Sequence, residues 1–254
     1  MNKLTDKTEI EENIAQRILF KNEACAVINK LSGEAAQGIK KSGSNTGSFA
    51  VSAVNLPKEL KKLFNTENVQ AVHRVDVPVT GCVLFALNPR ALKFLNSAFA
   101  DKSEKLIDKN YWAIIEKPSF NLPESGKLVH WIEVNSRINK SFAYNDEGQG
   151  RKKASLNYRI KGEGDNYLFM EIHLATGRHH QIRCQLAALD LHIKGDVKYG
   201  AKRNEKDGGI RLHARSLSFP NPLNKSELIS VTAPPPFIDN LWKAFPVSPE
   251  HLPM

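Results

Sequence analysis

The sequence predicts an α+β fold, a mixed and mainly antiparallel central sheet with peripheral helices, and two observations lead there. Strand-like runs outnumber helical ones, and few sit at the regular strand-helix spacing that a doubly wound fold needs. The length, 254 residues, suits one large domain or two small ones, with 41% hydrophobic and 25% charged residues able to build an ordinary core.

In chain order, Ile10, Ile14 and Ile18 recur at helical spacing with Thr8 as a cap, so the first nineteen residues (1–19) read as a helical extension ahead of a domain over 20–254. Ala24 to Asn29 is short, apolar and partly branched, as a strand should be. Leu31 to Ser52 loses all periodicity and reads as a glycine- and serine-rich loop. Leu56 to Phe64 is a helix with Pro57 in its first turn. Val69 to Val72 and Gly81 to Ala86 are strands joined by a polar elbow. Pro89 to Phe99 is a helix with Leu92, Leu95 and Phe99 on one face. Tyr111 to Glu116, Val129 to Val134, Asn157 to Ile160, Tyr167 to Leu174 and Leu217 to Phe219 are strands, and Gln181 to Leu189 is a helix. There is no internal repeat.

Composition narrows function. No apolar tract approaches the roughly 20 residues of a membrane span, and the amino terminus lacks a secretory core, so a cytoplasmic chain with no membrane partner is expected. Cys25, Cys82 and Cys184 are far apart in sequence and read as buried, reduced thiols. Lys plus Arg number 36 against 27 Asp plus Glu, a net +9. The excess concentrates between Arg151 and Arg215, with 14 bases and 7 acids, whereas Met1 to Gln70 holds 10 and 8. That pattern favours a polyanion against the second half of the chain.

Two clusters carry candidate chemistry. The elbow His73-Arg74-Val75-Asp76-Val77-Pro78-Val79-Thr80-Gly81 places an imidazole, a guanidinium, a carboxylate and a hydroxyl between apolar strands. On spacing alone it is either an Asx-type turn capped by Asp76 with a solvated Arg74, or a site, and a site requires Asp76 ionised beside a cation. Thr176-Gly177-Arg178-His179-His180-Gln181-Ile182-Arg183 runs from a turn into a helix, and Arg178 and Arg183 can address phosphate or carboxylate through planar forks. The adjacent histidines suggest zinc only weakly, because neighbouring side chains are expected to face apart and no cysteine pair or HExxH accompanies them. No metal is expected.

These residues resemble the RluA-type (Rlu, large-subunit ribosomal) family of pseudouridine synthases. The family's HRLDxxTSG signature is matched by HRVDVPVTG at His73 to Gly81, TGRxHQIR by TGRHHQIR at Thr176 to Arg183, and GDxxYG by GDVKYG at Gly195 to Gly200. Weaker echoes are NKLSG at Asn29, KNYWAII at Lys109, LHA at Leu212 and APPPF at Ala233, all in the family's order. The resemblance implies a pseudouridine synthase-like catalytic domain that needs no cofactor, lacks an extra amino-terminal RNA-binding domain, and converts uridines of structured rRNA or tRNA to pseudouridine. It implies that Asp76 is the essential carboxylate, that Arg183 pairs with it, and that Tyr111 packs on the target uracil and assists the C5 proton. Arg74 would fill the space left by the flipped nucleotide. Thr80, Arg178, His179, Gln181 and the tract Arg151, Lys152 and Lys153 would contact RNA, as would Lys202 and Arg203, while Ile182 and Leu212 would wall the pocket.

The chain departs from the family's pattern at Leu31, Val77, Thr80, Leu87 and Gln185, and Pro78 and Val79 replace more polar elbow residues, which bears on target choice more than on chemistry. A noncatalytic RNA-binding or assembly factor on the same fold remains the alternative. A retaining hydrolase would want a second carboxylate about 5 Å from the first. The motifs offer only Asp196 for that role, and Asp196 reads as a solvent-facing turn residue. No obligate protein partner is implied, and a monomer is expected.

Overall fold

The apolar run from Cys82 to Ala86 becomes part of a wholly buried strand: Thr80–Ala86 is buried at every position. The computed structural model describes residues 13–37, 54–101, 106–235 and 239–244. Along the chain come β1 (Ile18–Lys21), β2 (Cys25–Lys30), β3 (Glu34–Ala35), β4 (Val54–Asn55), α1 (Leu56–Leu63), β5 (Gln70–Ala71), β6 (Thr80–Ala86), α2 (Pro89–Ala100), β7 (Asp108–Glu116), β8 (Ser125–Asn135), β9 (Lys140–Tyr144), β10 (Lys152–Glu163), β11 (Tyr167–Leu174), α3 (Gln181–Ala187), a 3-10 turn (Val197–Tyr199), β12 (Leu212–Pro220), β13 (Leu228–Thr232) and α4 (Asn240–Ala244). The expected α+β class, a mainly antiparallel sheet with peripheral helices, is what forms; β3 and β4 pair in parallel.

The chain divides into two compact units, Met1–Asp108 with Ser216–Pro236 and Lys109–Arg215 with Phe237–Met254. In the first, β2 lies antiparallel between β1 and β6, β5 adds to β6, and the Ser216–Pro220 part of β12 pairs with β13. Val27, Leu84, Leu95, Phe219 and Val231 share one apolar cluster, against which α2 lays Leu92, Phe94 and Phe99. Helices α1 and α2 start where the sequence places caps: the Asn55 side chain accepts from Lys58 N–H and the Asn88 side chain from Ala91 N–H, each beside a proline in the first turn.

Two expectations for this unit are corrected. Ile14 is buried, but Ile18 opens β1 instead of continuing a helix, while Thr8 and Ile10 lie outside the described residues. The stretch after Leu31 is not loop throughout, because Glu34 accepts two bonds from Arg17 and one from Leu31 N–H, fixing β3; residues 38–53 lie outside the description.

The second unit is one antiparallel ladder in the order β7-β11-β10-β8-β9. Its strands alternate with a period of two: Ala154, Leu156 and Tyr158 of β10 are buried, while Lys153, Asn157 and Arg159 face water. Helix α3 packs on the buried face through Cys184, with Ile132, Ala154 and Tyr199. On the opposite face α4 sets Trp242 against Trp112 and Phe169 at one end. All three cysteines are buried thiols outside any disulfide, and burial pushes the Cys25 thiol up to about 12. Among the described residues no helix is long and apolar enough to cross a membrane.

Candidate active site

The elbow between β5 and β6 is held from beneath by a lysine. Lys30 ends β2 opposite Gly81, and its side chain turns under the elbow and is wholly buried. Its ammonium donates to the backbone carbonyls of Leu31 at 2.8 Å, Val77 at 2.9 Å and Val79 at 2.6 Å. Val79 N–H closes the turn on the Asp76 carbonyl, Gly33 N–H reaches Val77 O, and Gly81 leaves the elbow with a φ of 107°, which favours glycine. His73 accepts from Leu84 N–H and stacks on Phe99 at 5.3 Å. The result is a rigid arch with Asp76 half-buried on it, Arg74 exposed, and Thr80 set into the strand at 7% exposure.

Burial lowers the Lys30 amine to about 7, against the pull of the Glu34 and Asp76 carboxylates, which favour its charged form. Asp76 is thus close enough to feel a cation from below. Lys30→Met should cost about 2 to 3 kcal/mol of stability, since buried carbonyls lose their donor, and should lower turnover more than RNA affinity. Its pH signature is specific. Above about 7 the folded protein releases this proton, whereas the unfolded chain keeps it to the ordinary value of 10.5. Wild-type stability should therefore gain a component that rises with pH across that window, and the Met variant should lack it. Equal pH slopes in denaturant unfolding of the two proteins would contradict the assignment.

In the second unit, the turn before α3 is clipped onto β10 by Gln181. Its Oε1 accepts from Thr176 Oγ1–H at 2.7 Å and Arg178 N–H at 3.0 Å, and its Nε2 donates to Ser155 O. Gln181, expected at the RNA, is 3% exposed and is a structural clip. Arg178 is half-buried with Nε on Lys153 O. His180 adopts a left-handed φ of 50°, and this turns the two imidazoles together: the rings of His179 and His180 stack at 3.8 Å, against the expectation that they face apart. They do not converge on one point, since His179 Nδ1 meets Ser141 Oγ and His180 Nδ1 meets Tyr199 Oη, each at 2.8 Å. Among the described residues no group of three ligating side chains forms.

Arg183 holds the Asp196 carboxylate. Arg183 Nε donates to Oδ2 at 2.6 Å and its terminal nitrogen to Oδ1 at 2.7 Å, in a fork buried on both sides, with the Tyr199 ring 4.8 Å from the guanidinium carbon. Asp196, at 2% exposure, is therefore no solvent-facing turn residue. Tyr199 also accepts from Ser141 N–H, and burial raises its phenol. The GDVKYG segment is thus the mount that fixes Arg183. Gly195 there has a φ of 90°, and a Cβ would meet Gly209 O at 3.0 Å. The loop that follows is tied down by Glu205, which bonds Lys194 and Arg211.

Tyr111 lies in β7, nearly buried, in register with Ile172. That places it on the α3 side of the sheet, where Leu156 and Tyr158 also point. Ile182 and Leu212 are buried walls. Of the basic tract, Arg151 covers the Tyr144 ring at 3.6 Å, Lys152 is exposed, and Lys153 is exposed beside Trp131; Lys202 and Arg203 are exposed. Sequence reasoning missed Lys30 and Tyr199, although both lie in quoted motifs: a lysine closing an apolar run, and the tyrosine of GDVKYG.

Residues 24–188 match the family described as RNA pseudouridylate synthase. An uncharacterised RNA pseudouridine synthase of Zymomonas mobilis subsp. mobilis is 26% identical over 89% of this chain and 97% of its own length. A second, from Chlorobaculum parvum, is 30% identical over 89% of this chain and 72% of its own. In fold, the chain is similar to human RNA pseudouridylate synthase domain containing 4, with a TM-score of 0.68 at 19% identity, covering 95% of each chain. With the three signatures borne on an arched elbow and a buried arginine mount, these matches show that the chain belongs to the RluA-type RNA pseudouridine synthases, enzymes that isomerise uridine in RNA to pseudouridine.

Proposed function

We propose that Asp76 is the carboxylate that carries the isomerisation, on structured rRNA or tRNA. The observation behind this is the arch itself: the matched elbow lifts Asp76 on a backbone fixed at Val77 and Val79 by a buried ammonium. A group that must meet a sugar-base junction in one orientation needs such a mount. In the reaction the N1–C1′ bond breaks, the uracil turns, a C5–C1′ bond forms, and the C5 proton leaves as N1 takes one up. Asp76 attacks C6 or C1′, or removes the sugar's H2′. Arg183, oriented by Asp196, supplies positive charge to the reaction, and Tyr111 packs on the uracil and assists the C5 proton. Arg74, exposed on the elbow, enters the space that the flipped nucleotide leaves, since the reacting carbon is out of reach in stacked RNA. Arg151, Lys152 and Lys153 hold phosphates, so affinity falls with salt. We place the enzyme in the cytoplasm, acting as a monomer.

Comparing pseudouridine maps of total RNA from cells with and without the gene tests this reading. Loss of modification at one or a few uridines of rRNA or tRNA is expected. Identical maps would contradict it.

A further inference from the structure

The ladder of the second unit has one face that α3 covers and another that, among the described residues, is open over β8, β9 and β10. A solvated sheet face normally carries short polar and charged side chains. This one carries rings. Trp131 and Tyr144 are cross-strand neighbours, Lys153 lies opposite Trp131 on the other side, and Phe142 follows on the same face at 38% exposure. Cations lie over them: the Arg151 guanidinium carbon is 3.6 Å from the Tyr144 ring centre, and Lys153 Nζ is 5.4 Å from that of Trp131. The row continues along β10 to Asn157 and Arg159, which line a depression of about 460 Å³ with Glu171 and His173.

We infer that this face is a platform for single-stranded RNA flanking the target uridine. The inference rests on the RNA-modifying reading and extends it to a surface on the side of the sheet away from α3 and Tyr111. Charge and shape both fit. On the face, Lys127, Arg151, Lys153 and Arg159 stand against Glu171 and Glu133, the latter paired with Arg151, while Lys140 at the edge lies over both Phe142 and Tyr199. Six residues separate Lys153 from Arg159, about 20 Å of strand, so the row spans several nucleotides. An ammonium over a tryptophan yields that ring to a base while keeping a phosphate, and Arg151, with Gly148 against its guanidinium, steadies the Tyr144 ring beside it. Base on aromatic ring is sequence-tolerant, as suits an enzyme whose specificity lies at the flipped nucleotide. A protein partner would be served better by a larger apolar patch with fewer cations around it.

The test is equilibrium binding of a short single-stranded oligouridylate to full-length wild type and to Trp131→Leu, Trp131→Phe and Lys153→Met, each checked for folding by thermal unfolding. Trp131→Leu should bind about tenfold more weakly with an unchanged salt slope, and Trp131→Phe should restore most of the affinity. Lys153→Met should reduce the slope of log affinity against log salt by about 0.7. Folded Trp131→Leu binding as tightly as wild type would overturn the platform. So would a result in which RNA affinity is unchanged and a co-purifying protein is lost instead. Failure of the underlying enzyme reading shows separately, as absence of pseudouridine formation by the wild type.

Discussion

Asp76→Asn is expected to lose pseudouridine formation by about 10⁴-fold or more while remaining folded and bound to RNA. Asparagine keeps the shape of the side chain, and the arch is fastened through backbone groups, by Val79 N–H on the Asp76 carbonyl and by Lys30 on three other carbonyls. What disappears is the charge that can attack carbon or take a proton. RNA affinity comes mainly from phosphate contacts, which the substitution leaves in place. A second readout follows from Lys30. Removing the Asp76 charge removes one of the two attractions that hold the buried amine protonated, so the pH-dependent component of stability should move to lower pH. Product formation in single turnover at saturating enzyme, beside filter binding and thermal unfolding, measures all three. Retained turnover in the folded variant would contradict the assignment.

Asp196→Ala should be the most destabilising single change in the second unit, at about 3 to 5 kcal/mol. The guanidinium of Arg183 is 5% exposed and gives two donors to this carboxylate, so truncation leaves a charge in the interior without its fork partner. Replacing the pair together, Arg183→Met with Asp196→Leu, should recover part of that stability, because no charge is then stranded, yet should recover no activity. Denaturant unfolding of wild type, both single variants and the double variant gives the coupling energy. Additive effects would mean that the fork is not the fixture described here. The same logic makes the 3-10 turn that presents Tyr199 part of the site, since that ring packs on Arg183 while its hydroxyl ties β9 to His180.

How far the sequence foretells these features depends on what each residue answers to. β6 and β11 were legible because they are runs of apolar residues, and of β10 only the stretch from Asn157 to Ile160 was read, although its buried alternation runs from Ala154. The beginning of β10 was not, because Lys152 and Lys153 look like a solvated tract until the ladder shows one face in water. β9 is five residues behind a left-handed Asn139, too short to show a period. The parallel pairing of β3 with β4 joins two-residue segments on either side of a stretch without periodicity. In the site, matching motifs located the right segments but did not separate residues that hold the backbone from those that face outward. Gln181 and Asp196 are supports inside their segments, and Lys30 is a support reached only because a strand-end side chain folds back beneath a turn.

The most direct test of the account is a single reaction: purified wild-type protein, with no added cofactor and with chelator present, incubated with total RNA from cells that lack the gene, followed by mapping of pseudouridine. The account predicts new pseudouridine at the same few uridines that lose it when the gene is absent, and none with Asp76→Asn. Folded wild-type protein that binds this RNA and yields no pseudouridine at any position would contradict it.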